Sequence, residues 1–478
     1  MRGRFTLLPL AAVALLLAGC GGSENTAASG AAEVAGIVPD DVPVLVALET
    51  DPESEQWRQA EQLLDRFPGK EKLFAELSRE LSDEGLSVES DLLPALGDET
   101  YVAVLDLADE ADAVLITKPR DPQKLEALLR ELDEPSETRV VDGWTLVAES
   151  TAVLDRFTAE GDRLDGSDWF ANAQDRVDEA ALVTAYVSGA ALQEASAASL
   201  PEGCEPPEAA GEVEFVVGTL LARDDGVRLL FEAAGDGAAE LVGDETLLEH
   251  VPPRALAYLG SPSFDAAALG FGAQLRCTLD EADAPDAERL LGVSYDDIVD
   301  LFAGGFAFYT APGLLVPEVT LVLEPEDEAR ALATLDALAE PAAEFFEGER
   351  GTRRVGSVDA RELELGPVTI LYGAGNGRVV VTTAPPGLQA LGAGGDSLED
   401  DERFRDAREA AGVGDDAQVY AYLDLNGLLD LYRTVSAFSD EELPPEVEAN
   451  LEPLESLVAW GDVSDRDEPE LGVFLAIR

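Results

Sequence analysis

Val44–Glu49 (VLVALE) is a short apolar run closed by a glutamate, and it reads as a strand. Asp51-Pro52 follows, read as an N-cap with Pro at the first helical position, and Trp57, Ala60, Leu63, Leu64 and Phe67 then recur at helical spacing. Thr100–Asp106 and Asp112–Lys118 read as adjacent strands, and Asp121 opens a helix carrying Leu125, Leu128, Leu129 and Leu132. Gly143–Ser150 predicts a strand, STAVLDRF from Ser150 a helix, and ALVTAYVSG a strand. EVEFVVGTLLA and VRLLFEAA form two more strands, joined through Asp224-Asp225-Gly226 as a hairpin turn. Short connections between strands favour antiparallel pairing, so the class expected is α+β.

The pattern recurs. GTLLARDDGVRLLF from Gly218 and GDVSDRDEPELGVF from Gly461 share Gly, Arg, Asp and Phe at one offset: Gly461 minus Gly218 is 243, and Phe474 minus Phe231 is 243. VPDDVPVLVALE from Val38 returns as VPPRALAYLG from Val251, offset 213. Leu129 and Leu132 return as Leu335 and Leu338, offset 206, and TAYVSGAAL from Thr184 returns as YAYLDLNGL from Tyr420, offset 236. Collinear landmarks with drifting offsets predict two pseudo-symmetric tandem copies of one mixed, mostly antiparallel unit of sheet and helices, differing by loop insertions such as Glu347–Val358. The divisions expected are a signal peptide over 1–19, a flexible tether over 20–36, and repeats over 37–240 and 241–478.

Arg2 and Arg4 precede an apolar run, Phe5–Leu17, broken only by Thr6 and Pro9. At about 13 residues it is too short to span a bilayer and fits the core of a secretory signal. Leu17-Ala18-Gly19-Cys20 resembles the bacterial lipobox, which implies cleavage before Cys20 and acylation of its thiol. The small, polar stretch that follows reads as the tether.

Composition changes the picture at one point. The 478 residues carry 98 acidic and 32 basic side chains, a net charge of −66, and lysine occurs only at positions 70, 72, 118 and 124. A field of that sign disfavours nucleic acid and anionic headgroups, leaving the lipid alone as the membrane contact. A cationic protein, a wall component or loosely held Ca²⁺ remain compatible partners. Besides Cys20 the cysteines are Cys204 and Cys277, available to each other as a disulfide or left as two thiols.

VPVLVALETDPESEQWRQAEQLLDRFPGKEKLFAEL, then LLPALGDETYVAVLD, then GWTLVAES, is an order of segments that resembles a family of bacterial, mainly actinobacterial, lipoproteins known as domain of unknown function 3352. The resemblance implies a lipoprotein on the outer face of the cell membrane. It brings no catalytic motif and no cofactor.

Candidate chemistry is sparse. His250 is the sole histidine, which argues against histidine-dependent nucleophilic catalysis and the usual zinc sites, and it reads as a linker or cap residue. GAGNGR (Gly373–Arg378) lies between two strand-like runs, so its Asn376-Gly377 is a hairpin turn rather than a nucleotide loop. Asp462, Asp465, Asp467, Glu468 and Glu470 supply hard oxygens suited to Ca²⁺, without the spacing of a calcium loop. No metal site is otherwise indicated. Three functions follow: a lipid-anchored, non-catalytic envelope protein; a solute-binding lipoprotein with its site between the halves; and a carboxylate-dependent hydrolase. A continuous sheet favours the first, an apolar cleft between the halves the second, and a close acid pair in a pocket the third.

Overall fold

The computed structural model describes residues 27–83, 86–107, 112–131, 135–177, 179–199, 213–235, 247–261, 292–302, 304–313, 317–392, 395–414, 417–436, 443–462 and 469–478. It is mixed α and β, with an antiparallel sheet as its frame. The strands of the first part are β1 Val44–Glu49, β2 Glu99–Val104, β3 Ala113–Thr117, β4 Glu137–Val141, β5 Trp144–Ala148, β6 Val183–Ser188, β7 Phe215–Arg223 and β8 Gly226–Ala234. Those of the second are β9 Ala257–Ser261, β10 Phe306–Ala311, β11 Glu318–Leu323, β12 Glu349–Val355, β13 Val358–Leu365, β14 Val368–Gly375, β15 Arg378–Thr382, β16 Gln418–Asp424, β17 Leu454–Asp462 and β18 Glu470–Ile477.

The ladders run without a gap through one sheet. From one edge to the middle the order is β4-β5-β3-β2-β1-β6-β7-β8. β8 pairs with β18, from Gly226 opposite Ala476 to Glu232 opposite Glu470. From there the order is β18-β17-β16-β9-β10-β11-β15-β14-β13-β12. Read outward from the β8–β18 join, each side therefore follows the same sequence of connections, and β12 and β13 are the additions on the second side. One large core cluster draws on residues between Ala31 and Ala234, the other on residues between Leu247 and Ala476, with the helices supplying its outer face.

Equivalent bonds recur across the join. Leu164 N donates to Val38 O at 2.9 Å and Leu398 N to Val251 O at 2.8 Å. Ser188 N donates to Pro43 O at 3.0 Å and Asp424 N to Leu256 O at 2.7 Å. The Ser188 hydroxyl accepts from Ala191 N (3.2 Å), and the Asp424 carboxylate from Gly427 N (2.8 Å), each holding the start of the next helix. Phe170 meets Tyr186 edge to face at 4.9 Å, and Phe404 meets Tyr422 at 5.1 Å. Leu125 and Leu128 are buried on helix Pro122–Glu131, as are Ala331 and Thr334 on Glu328–Phe345.

Several expectations change. The tether expected over 20–36 does not stay extended: Ala27–Ala35 is a helix with Ala31, Val34 and Ala35 fully buried, because small residues let it lie close on the sheet. Helix Glu55–Leu64 starts later than Asp51-Pro52 implied, since Ser54 Oγ accepts from Trp57 N and is the N-cap. The offset of 243 is not kept in the ladder. Gly218 faces Phe231, whereas Gly461 faces Leu471 and Phe474 faces Val458, since more residues separate the two strands of the second hairpin. Glu347–Val358 is not a loop insertion but the β12 side of an added hairpin. Asn376 (φ 57°) and Gly377 (φ 83°) make the expected tight turn between β14 and β15, matched by Asp142 (φ 47°) and Gly143 (φ 87°) between β4 and β5.

Candidate functional site

Two carboxylates meet where β1 ends and β2 begins. Glu49 lies directly opposite Glu99 in the antiparallel ladder. Side chains of alternate residues share a face. Leu45 and Ala47, like Tyr101 and Ala103, belong to the first core, so both glutamates are carried to that core's end. Glu49 is 4% exposed; its Oε1 accepts from Asp51 N at 2.9 Å, and its carbonyl accepts from the Trp57 indole N–H at 2.6 Å. Glu99 Oε2 accepts from the Tyr101 hydroxyl, while its Oε1 is buried without a hydrogen-bond partner.

Burial governs the electrostatics. It raises Glu49 to about 7, partly opposed by the Asp51 amide and reinforced by Glu99, Asp51 and Asp98. Glu99 is raised by burial too, against the Tyr101 hydrogen bond and Lys118, and with Asp98 and Glu33 adding to the rise. Burial, then Glu99, pushes the Tyr186 hydroxyl up to about 12. The cations at the rim are engaged elsewhere: Lys118 bridges to Glu33 at 2.8 Å and lies 4.1 Å above the Trp144 ring, and Arg120 joins Asp51 (2.9 Å) and Asp98 (2.7 Å). Helix Ala27–Ala35 covers the pair so closely that a Cβ at Gly30 would collide with Glu99 Oε2 and the Tyr101 hydroxyl. The arrangement can hold a proton. With Gly30 against Glu99, it offers a substrate no approach from that side.

A second constellation lies in the other half. His250 ends the short helix Leu247–His250, and its Nε2 accepts from Arg378 Nη1 at the start of β15. A cavity of about 120 Å³ beside it is lined by Glu249, His250, Arg254, Tyr309, Glu318 and Asp396 among others. Burial, then Arg378, lowers His250, with Glu249 opposing. Nε2 also lies 3.1 Å from Glu249 Oε1, but a lone pair already engaged by Arg378 gives that carboxylate no proton.

Of the residues singled out in the sequence, Leu17, Ala18, Gly19, Cys20, Cys204, Cys277, Asp465, Asp467 and Glu468 lie outside the described residues. Asp462 ends β17 opposite Glu470, whose carboxylate accepts from the Trp460 indole N–H (3.2 Å) and faces Arg228 at 3.5 Å. Among the described residues, no three His, Cys, Asp or Glu side chains are placed to hold a metal ion. The halves meet along paired strands at β8–β18, where a cleft was the alternative expectation. The sequence marks each glutamate as in phase with core positions of its own strand, but the register that sets Glu49 opposite Glu99 is a property of the ladder. His250 and Arg378 are 128 residues apart, and no local pattern joins them.

Residues 5–145 match the family model described as Protein of unknown function (DUF3352), which supports the assignment that the order of segments suggested. No curated protein matches the chain. Two solved structures are similar to it, crystal forms IV and III of TP0453, at 11% and 10% identity. They cover 43% and 42% of this chain and 83% and 78% of their own, each with a TM-score of 0.24, too low to carry a fold argument. Among the described residues no helix is long and apolar enough to cross a membrane.

Proposed function

We propose that the protein is a lipid-anchored, extracytoplasmic envelope protein that acts by binding or organising a partner rather than by catalysis. The observation that carries this reading is the β8–β18 ladder, which makes the two halves one continuous sheet and turns the place where a solute cleft would lie into hydrogen-bonded strands. The halves are taken as tandem copies of one unit, a view supported by the mirrored strand order and the recurring bonds, caps and aromatic pairs. The anchor is Cys20, following Leu17-Ala18-Gly19. A protein or wall component fits the acidic surface better than nucleic acid.

The acid pair favours the hydrolase reading in its chemistry but not in its access, since Gly30 lies against Glu99. Metabolic labelling of the full chain with a palmitate analogue in a bacterial host tests the anchor. The wild type should be labelled, sediment with membranes and be cut by protease added to whole cells, while Cys20→Ser should be unlabelled and released. Equal labelling of both would reject it. A saturable rise in melting temperature with CaCl₂ or a sugar, at matched ionic strength, would replace the partner-binding reading with a ligand site.

A further inference from the structure

We propose that Glu49 and Glu99 form a proton-dependent latch for helix Ala27–Ala35, which is docked while the pair holds its protons and undocks when both are ionised. The geometry carries this. The two carboxylates are cross-strand neighbours on a core-facing side of the sheet, and Gly30 sits against one of them. Glu99 Oε1 has no hydrogen-bond partner, so an ionised Glu99 would be a buried, partly unsatisfied anion opposite a second carboxylate.

Among the described residues no neighbour forms an ion pair with either carboxylate, although Lys118 favours the charged form of Glu99. Glu33 faces the pair from the helix, Asp51 and Asp98 from the strand ends, and Tyr101 and Tyr186 from the sheet. Lys118 and Arg120 are the nearby cations, and they pair with Glu33, Asp51 and Asp98. Among the described residues no cation lies at ion-pair distance from Glu49 or Glu99. The helix that lies against Glu99 is short. It has nine residues, too few to persist alone in water, and it holds on through Ala31, Val34, Ala35, the close approach of Gly30 and the Glu33–Lys118 ion pair. Undocking admits water to Glu99, whereas hydrating it from below would require opening the β1–β2 ladder.

The sign follows from the chemistry. Rising pH removes protons from the pair, the charged form is the one that burial penalises, and docking therefore weakens as pH rises. If Cys20 bears the lipid, undocking lengthens the tether by the nine residues of the helix; this consequence alone rests on the anchor proposed above.

Hydrogen exchange of the purified, lipid-free full chain at pH 5.5, 7 and 8.5, corrected for intrinsic exchange, tests the latch. Peptides covering Ala27–Ala35 are compared with peptides from helix Glu328–Phe345. In the wild type the first helix should lose protection relative to the second by about tenfold or more between pH 5.5 and 8.5. Glu99→Gln and Glu49→Gln should each flatten that dependence. Three results would overturn the proposal: protection of Ala27–Ala35 that ignores pH, loss of protection in both helices together, or an unchanged slope in the glutamine variants. The wild-type arm stands even where a variant fails to fold, and none of these readouts depends on a lipid.

Discussion

The Arg378 guanidinium, 7% exposed, donates to the neutral imidazole of His250 and to Gly392 O, and meets no carboxylate among the described residues. Ile37 and Trp144 stand at recurring offsets in the first half: His250 minus Ile37 is 213, and Arg378 minus Trp144 is 234, the offset that also relates Asn376 to Asp142. A buried cation thus stands where the other half has an apolar ring.

Breaking that pair should cost more than replacing it. His250→Ala strips the Nη1 donor of its acceptor and should lower stability by about 1–3 kcal/mol. Installing the first half's residues, His250→Ile with Arg378→Trp, should recover much of the loss, because a well-packed apolar pair removes the need to bury a charge. Urea denaturation of the single and double variants measures both.

Two titrations should pull in opposite directions. Glu49 is raised to about 7, so the folded state binds its proton more tightly than the unfolded chain does, and this contribution is lost as pH climbs from the ordinary carboxylate range through about 7. His250 is lowered, so the unfolded chain binds the proton first and stability falls as pH drops below the ordinary histidine range. Glu49→Gln should flatten the first slope and His250→Asn the second in melting temperatures taken between pH 4 and 8.

The aromatic positions should separate cleanly. Phe404→Ala opens a cavity beside Tyr422 and should cost about 3–5 kcal/mol. Phe345→Ser, at a side chain 81% exposed, should change stability by less than about 0.5 kcal/mol. Chemical denaturation of each variant checks the contrast.

The seam should couple the halves. Leu230 pairs with Gly472 in the middle of the β8–β18 ladder and with Thr219 on its other side. Leu230→Pro removes a ladder donor and should cost about 3 kcal/mol or more. Calorimetry should show it widening or splitting a transition that the wild type makes as one.

Local patterns determined much of this protein. The short apolar run VLVALE placed β1 at the residues where it occurs, and Asn376-Gly377 ended a strand because both turn residues must adopt positive φ. Recurring landmarks such as Val38 and Val251 anticipated bonds made in both halves, since each keeps its residue in the same burial phase. What the tertiary structure alone decided are relationships across long sequence separations. Helix formation at Ala27–Ala35 follows from a close-packed sheet beneath it, because a segment of nine residues is too short to persist on its alanines alone. Glu49 faces Glu99, and His250 meets Arg378, because strand register and the burial of neighbouring groups set which side chains share a space and a dielectric. Neither is encoded in the spacing of residues along the chain.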